Sequence, residues 1–348
     1  MWRVIGLILT GLGAFLIVIA IVLPTYIAGQ VIKFPLNEFE TATLTATNAS
    51  YFSAPKVKQL DGADLEATYT IQGNAKAGSA STAVWNEFSY VYDRTNKLPA
   101  DSMSRTFAFD RKSAELVNCC GESINGNSSI RQTGIIGYVF PFNTQKKTYM
   151  VFDTTLDQPE PFVFSGTDTV LGIQTYKFIE NITPTKIGFS QLSSTQPEYY
   201  SLHLIYWVDP ETGALLKVDE SQDQYLVNAI TSARTVTLFK ADLVTTPATV
   251  KTVVGLDTSG RNKIALLRTI LPLILGIVGA LALVIGFLLS RKPREHTQPS
   301  MAIASYPSPD AATAEQAAQA HVASTMIPGM DGERKPVPTA EGDAPEPP

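Results

Sequence analysis

Two uninterrupted apolar runs constrain this chain more than any other feature. They span Val4 to Leu23 and Thr269 to Leu289, and neither contains a charged residue. At about 1.5 Å rise per residue, about 20 residues form a helix about 30 Å long, the thickness of a bilayer's hydrocarbon core. A buried helix of a soluble domain rarely stays apolar beyond about 14 residues. The expected architecture is an integral membrane protein with two transmembrane helices flanking one large domain.

The first run follows the free amine and Arg3, a basic start shared by signal peptides and signal anchors. Its apolar stretch is longer than a signal h-region, and a cut after Ala28 or Gly29 would place Tyr26 or Ile27 where a small residue is required. An uncleaved signal anchor is expected. Basic residues flank the outer ends of both runs: Arg3 before the first, and Arg291, Lys292 and Arg294 after the second. The positive-inside rule then puts both termini in the cytoplasm and the central domain outside the cell membrane. Arg261, Lys263 and Arg268 lie on the other side of the second run, but a long domain is translocated largely regardless of charge. The divisions are a cytoplasmic N-terminus (1–3), helix 1 (4–23), an extracytoplasmic domain (24–268), helix 2 (269–289) and a cytoplasmic tail (290–348).

Small residues recur along both runs: Gly6, Thr10 and Ala14 in the first, then Gly276 with Ala280 and Ala282 with Gly286 in the second. Four-residue spacing lets backbones approach, which suits pairing within the chain or self-association between chains. Gly and Ala are also common in membrane helices without such a role. Pro272 falls in the first turn of its run, where a missing N–H is harmless.

The central region is rich in Thr, Val, Tyr and Phe, with turn residues at short intervals. Apolar and polar residues alternate over Leu65–Ile71, Ala83–Tyr92, Arg105–Phe109 and Lys147–Phe152. Two hairpins are expected. One runs from Pro161–Phe164 through Ser165-Gly166 and Leu171-Gly172 to Thr175–Ile179. The other joins Tyr199–Val208 to Ala214–Val218 through Asp209-Pro210-Glu211-Thr212-Gly213, where Pro presets φ and Gly supplies a positive one. A last strand covers Arg234–Lys240. The fold class expected is a β-rich domain, antiparallel and either all-β or α+β.

Tyr138-Val139-Phe140-Pro141-Phe142, with Tyr149 and Phe152, forms an aromatic-rich stretch. Tyr138, Phe140, Phe142, Tyr149 and Phe152 are candidates for an apolar ligand groove or a lipid contact. The competing reading is a strand edge whose aromatics fill the core, with Pro141 ending the strand. Adjacent Cys119 and Cys120 leave three readings open: a disulfide to each other, a disulfide to another molecule, or two packed thiols.

A net charge of −5 argues against a nucleic-acid partner. No zinc-ligand spacing or phosphate loop occurs, so no metal and no cofactor are expected. Of three histidines only His203 lies between the runs, inside the apolar stretch Leu202–Tyr206, where it reads as a strand residue rather than a base. No catalytic constellation emerges, and a non-enzyme is expected. Arg291–Pro348 is rich in Ala, Pro, Glu and Ser and reads as a disordered tail.

Several stretches resemble a family of actinobacterial membrane proteins, once filed as a domain of unknown function and now labelled the porin PorA family. They are Arg3-Val4-Ile5-Gly6, Ala49-Ser50-Tyr51-Phe52, Val117–Glu122, Phe140–Tyr149, Gly172–Phe178 and Trp207–Gly213. The resemblance spans roughly residues 1–290, with the Phe-Pro-Phe to Lys-Lys-Thr-Tyr stretch the most specific. It implies a cell-envelope protein. Three functions follow as expectations. The first is a non-catalytic domain that binds a lipid, a lipoglycan or an envelope-biosynthesis partner. The second is a channel, as the label suggests. The third is an envelope enzyme of unrecognised type.

Overall fold

The structure, a computed structural model, describes residues 2–190 and 192–291. The expectation for the tail beyond Arg291 lies outside the described residues.

The first apolar run is α1 (Trp2–Val22), which passes through a π-helical turn at Leu23–Ile27 into a short α2 (Ala28–Val31). Pro24 sits in that turn. Proline removes one backbone donor, and a wide turn tolerates the loss. The second run differs from expectation. Its helix starts at Pro247, well before Thr269, and continues as α3 (Pro247–Ala265), a π-helical turn (Leu266–Ile270) and α4 (Leu271–Ser290). Pro272 therefore lies within a longer helix. The true start carries the local signal: Thr246 is the N-cap, accepting a hydrogen bond from the Thr249 N–H, and Pro247 occupies the first turn. The 44 residues from Pro247 to Ser290 make a helix about 66 Å long. That is about twice the thickness of a bilayer core, and the α3 half is a stalk packed against the β-rich domain through Val253 and Val254.

α1 and α4 pack antiparallel through glycine. A methyl in place of the Gly13 hydrogen would lie 2.6 Å from the Gly279 carbonyl oxygen, and one on Gly6 would lie 2.8 Å from that of Gly286. Gly6 and Thr10 lie at this contact, close to Gly286. Ala14 and Ala280 are exposed and flank the contact. Gly276 lies at the margin, where an added methyl would meet Ala20 at 3.9 Å. The geometry explains the difference. At 3.6 residues per turn, steps of four drift around the helix, and the contact follows 6, 10, 13 and 279, 283, 286 instead.

Among the described residues, one antiparallel sheet of eleven strands lies between the helices, in the order β5-β4-β3-β2-β1-β11-β10-β9-β8-β7-β6. The strands are β1 (Phe39–Ser53), β2 (Lys58–Gly73), β3 (Thr82–Asp93), β4 (Leu98–Asp110), β5 (Ser123–Ile124), β6 (Tyr149–Asp153), β7 (Gln158–Val170), β8 (Ile173–Phe189), β9 (Pro197–Val208), β10 (Leu215–Val227) and β11 (Arg234–Thr245). All the expected strands are present, most of them longer than expected. Ser165-Gly166 is not a turn: the chain carries on through a bulge there, and Leu171-Gly172 alone reverses it.

The sheet is curled into a half-barrel. β4 and β8 are seven places apart in the strand order, about 34 Å if flat. Yet Phe107 of β4 and Phe178 of β8 share one buried cluster. Residues between β4 and β6 fill the gap between the sheet's edges: Leu116 bridges to Phe109, Glu115 to Ile135, and Ile135 to Val151 of β6. Sidedness follows strand parity. Inward positions carry Leu44, Leu65, Trp85, Phe107, Leu204 and Leu243. Outward positions carry ion pairs such as Arg94–Glu66, Lys217–Asp219 and Arg234–Asp223. A transmembrane barrel has the reverse arrangement, with an apolar band outside.

Candidate functional site

The end of the sheet from which the helices depart is built by contacts far apart in sequence. Phe34 follows α2 and is pinned to Arg111: its N–H donates to the Arg111 carbonyl at 2.8 Å, and Arg111 Nε donates to its carbonyl at 2.7 Å. Trp85 Nε1 donates to the Pro35 carbonyl at 3.1 Å. On the other side, Thr249 in the first turn of α3 accepts from the Thr43 N–H at 3.0 Å. These bonds hold the linker and the stalk against β1 and β3.

A cavity of about 180 Å³ lies between them. Its wall is mainly apolar, with Phe34, Ile71, Trp85, Leu216, Val218 and Val253 contributing. For scale, an apolar cavity of about 150 Å³ accepts a benzene molecule. Polar groups also face it: Glu38, Glu40 and Glu220, with Tyr69, Tyr138 and Tyr206. Burial, with Asp153 nearby, pushes the Glu220 carboxyl up to about 7. Burial and Glu38 raise Glu40. Burial, then the Glu220 charge, raises the Tyr69 and Tyr206 phenols well above their usual range.

Deeper in the curl is a second polar set. Tyr138 donates its hydroxyl to Glu87, and Arg105 Nη1 lies 3.9 Å from the other Glu87 oxygen. Arg105 Nε donates to Gln132 Oε1 at 2.6 Å, and its guanidinium lies over Phe107 (4.7 Å) and Phe152 (5.3 Å). Burial raises Glu87 despite the Arg105 charge and the Tyr138 bond. Glu180 is buried with Oε1 unpartnered among the described residues, and burial, Asp153, Glu160 and Glu220 push it up to about 9.

The aromatic stretch threads into the curled sheet. Phe140 is fully buried, stacked on Phe178 (5.0 Å) and edge-on to Tyr149 (5.3 Å). Tyr149 and Phe152 are buried in the same core. Phe142 stacks on Phe34 at 4.4 Å, behind the cavity wall. Of the five aromatic candidates only Tyr138 lines the cavity. Cys119 and Cys120 are bonded to each other in the turn before β5. His203 is exposed on the outward face, hydrogen-bonded to Asn181. Among the described residues no three His, Cys, Asp or Glu side chains gather to hold a metal ion.

Glu87, Glu180 and Glu220 are absent from the sequence-derived candidates, although a signal for each exists. Glu87 shares strand parity with Trp85 and Val91, Glu180 with Phe178 and Ile182, and Glu220 with Val218. A carboxylate at an apolar parity of a strand must end up inside the fold.

The family profile described as Porin PorA matches residues 5–288. Comparison with curated proteins gives no match.

Proposed function

We propose a function from one premise: the chain belongs to the porin PorA family. It is a membrane protein with a β-rich curled sheet and two helices long and apolar enough to cross a bilayer. Our reading is that it is a non-catalytic cell-envelope protein whose sheet binds a lipid, a lipoglycan or a related amphiphile next to the membrane. The observation that carries this is the apolar cavity between the α2–β1 linker and α3, at the end of the sheet where both membrane helices attach. A ligand leaving the bilayer would meet that end of the domain first. Arg3 and Arg291 at the far ends of the helices support an arrangement with both termini in the cytoplasm and the sheet outside. Filling the cavity tests the reading. Ala42 lines it, and Ala42→Phe should leave the protein folded and membrane-inserted yet unable to restore a deletion strain. Full restoration by Ala42→Phe would overturn the reading.

The family description favours a second reading, a pore. The sheet's charged exterior opposes conduction through a lipid-embedded barrel of this chain, because charges facing the lipid midplane cost about 2–4 kcal/mol each. A pore would have to be assembled from the helices of several copies. Their outer faces are apolar, with Leu7, Phe15, Leu281 and Leu288 exposed. Planar-bilayer recording decides it: conductance from the purified chain that vanishes when the helices are replaced would establish the pore, and a silent bilayer would remove it.

A further inference from the structure

We propose that the cavity selects a ligand carrying a cationic amine or quaternary ammonium head, with Glu220 as its counter-ion and the Tyr69 and Tyr206 rings flanking it. This rests on the reading of the cavity as a binding site and specifies what it binds.

Three carboxylates, Glu38, Glu40 and Glu220, face the cavity. Among the described residues, no Lys, Arg or His forms an ion pair with any of them. Lys217 contributes to the wall, but its ammonium is engaged on the outward face, 3.0 Å from Asp219 and 4.0 Å from the Trp207 ring centroid. Arg105, the cation inside the curl, is committed to Gln132 and Glu87. The cavity therefore presents carboxyl groups without a counter-charge within an apolar wall, and burial is the main cause holding back the ionisation of Glu220 and Glu40. A carboxylate withdrawn from water without a partner is costly, and a bound cation removes that cost.

The surrounding side chains narrow the choice of cation. Tyr69 on β2, Tyr206 on β9 and Tyr138 face the same space, and Trp85 forms part of the wall. Aromatic faces grouped around a carboxylate are the arrangement that recognises ammonium groups, especially alkylated ones. An anionic head would meet three carboxylates and no cation. A neutral head would leave Glu220 without a counter-charge. The apolar wall formed by Phe34, Leu216 and Val253 suits a short alkyl segment next to the head.

The test uses the full chain in lipid nanodiscs, titrated with hexyltrimethylammonium, hexyl sulfate and hexanol. With Trp2 and Trp207 replaced by Phe, fluorescence of Trp85, which lines the cavity, reports binding after subtraction of the signal from empty nanodiscs. The ammonium probe is expected to bind at least ten-fold more tightly than the other two. Glu220→Gln should abolish that preference without unfolding the domain, since it removes a buried charge. Ala42→Phe should abolish all binding. If hexanol matches the ammonium probe, or Glu220→Gln leaves the preference intact, the cationic assignment fails while the cavity reading stands. If hexyl sulfate binds best, the assignment is reversed. If Ala42→Phe changes nothing for any probe, the cavity reading itself fails.

Discussion

Arg261 on the stalk helix α3 holds both carboxylate oxygens of Asp209 at 3.0 Å through one guanidinium nitrogen. Asp209 is fully buried in the β9–β10 turn. The same guanidinium reaches Glu211 at 3.1 Å, and Thr212 of that turn donates to Asp257, one helical turn before Arg261. This cluster docks the sheet onto the helix that runs on into α4. Arg261→Ala would leave Asp209 buried and unpaired. The expected loss is about 2–3 kcal/mol, below the range for a fully buried pair because Arg261 is partly exposed. Thermal unfolding of the full chain measures it, with Arg261→Lys losing less.

Gly213 ends the same turn with φ +77°, and a methyl there would collide with the Phe140 carbonyl. Gly213→Ala is therefore expected to cost about 2 kcal/mol or more, from backbone strain and displacement of the Phe140 segment. Gly255 offers a contrast within α3: it is helical, and nothing lies within 4 Å of an added methyl. Gly255→Ala should stabilise the chain by about 0.5–1 kcal/mol. Opposite shifts in melting temperature for the two variants are the expected result.

The helix pair separates two sets of small residues. Gly13→Leu or Gly279→Leu should force α1 and α4 apart, since even a methyl meets backbone atoms within 3 Å. Ala14→Leu and Ala280→Leu should be tolerated, because both positions are exposed. A disulfide between engineered cysteines at Ala20 and Gly276, whose Cβ atoms would lie 3.9 Å apart, reads out the pairing: it should form in the Ala variants and fail in the Gly13→Leu variant.

Glu180 gives the interior a pH signature. Its folded-state pKa of about 9 lies above that of an unfolded glutamate, so its stabilising contribution is complete below about pH 4.5 and is lost as pH rises through about 9. Glu180→Gln should therefore raise the melting temperature most at pH 8 to 9 and little at pH 5. A uniform shift across that range would show that Glu180 is not the group responsible.

The parts of the fold legible in the sequence were those governed by local repetition. The apolar runs announced themselves by length, and strands such as Ala83–Tyr92 by alternation. β1 was harder, because its inward positions Ala42, Ala46 and Ala49 are small and its outward ones are mostly Thr. The stalk α3 has a mixed composition that gives no apolar period, although Thr246-Pro247 marks its start. Ser165-Gly166 resembled a turn because a bulge and a turn both use glycine at positive φ. The aromatic stretch was visible, but the sequence left open whether its side chains packed or bound. The cavity was not legible: Phe34, Tyr69, Trp85, Tyr206 and Glu220 meet only because the sheet curls. Parity could have identified the buried carboxylates one strand at a time, but not which of them share a space.

A small amphiphile held in the curled sheet, at the end where the helices attach, should leave the membrane together with the protein. Native mass spectrometry of the full chain, released from nanodiscs prepared directly from its own membranes, tests it most directly. A discrete bound mass is expected on the wild-type chain and not on Ala42→Phe of equal thermal stability. A wild-type chain that is consistently ligand-free, or an Ala42→Phe chain with the same bound mass, would contradict it.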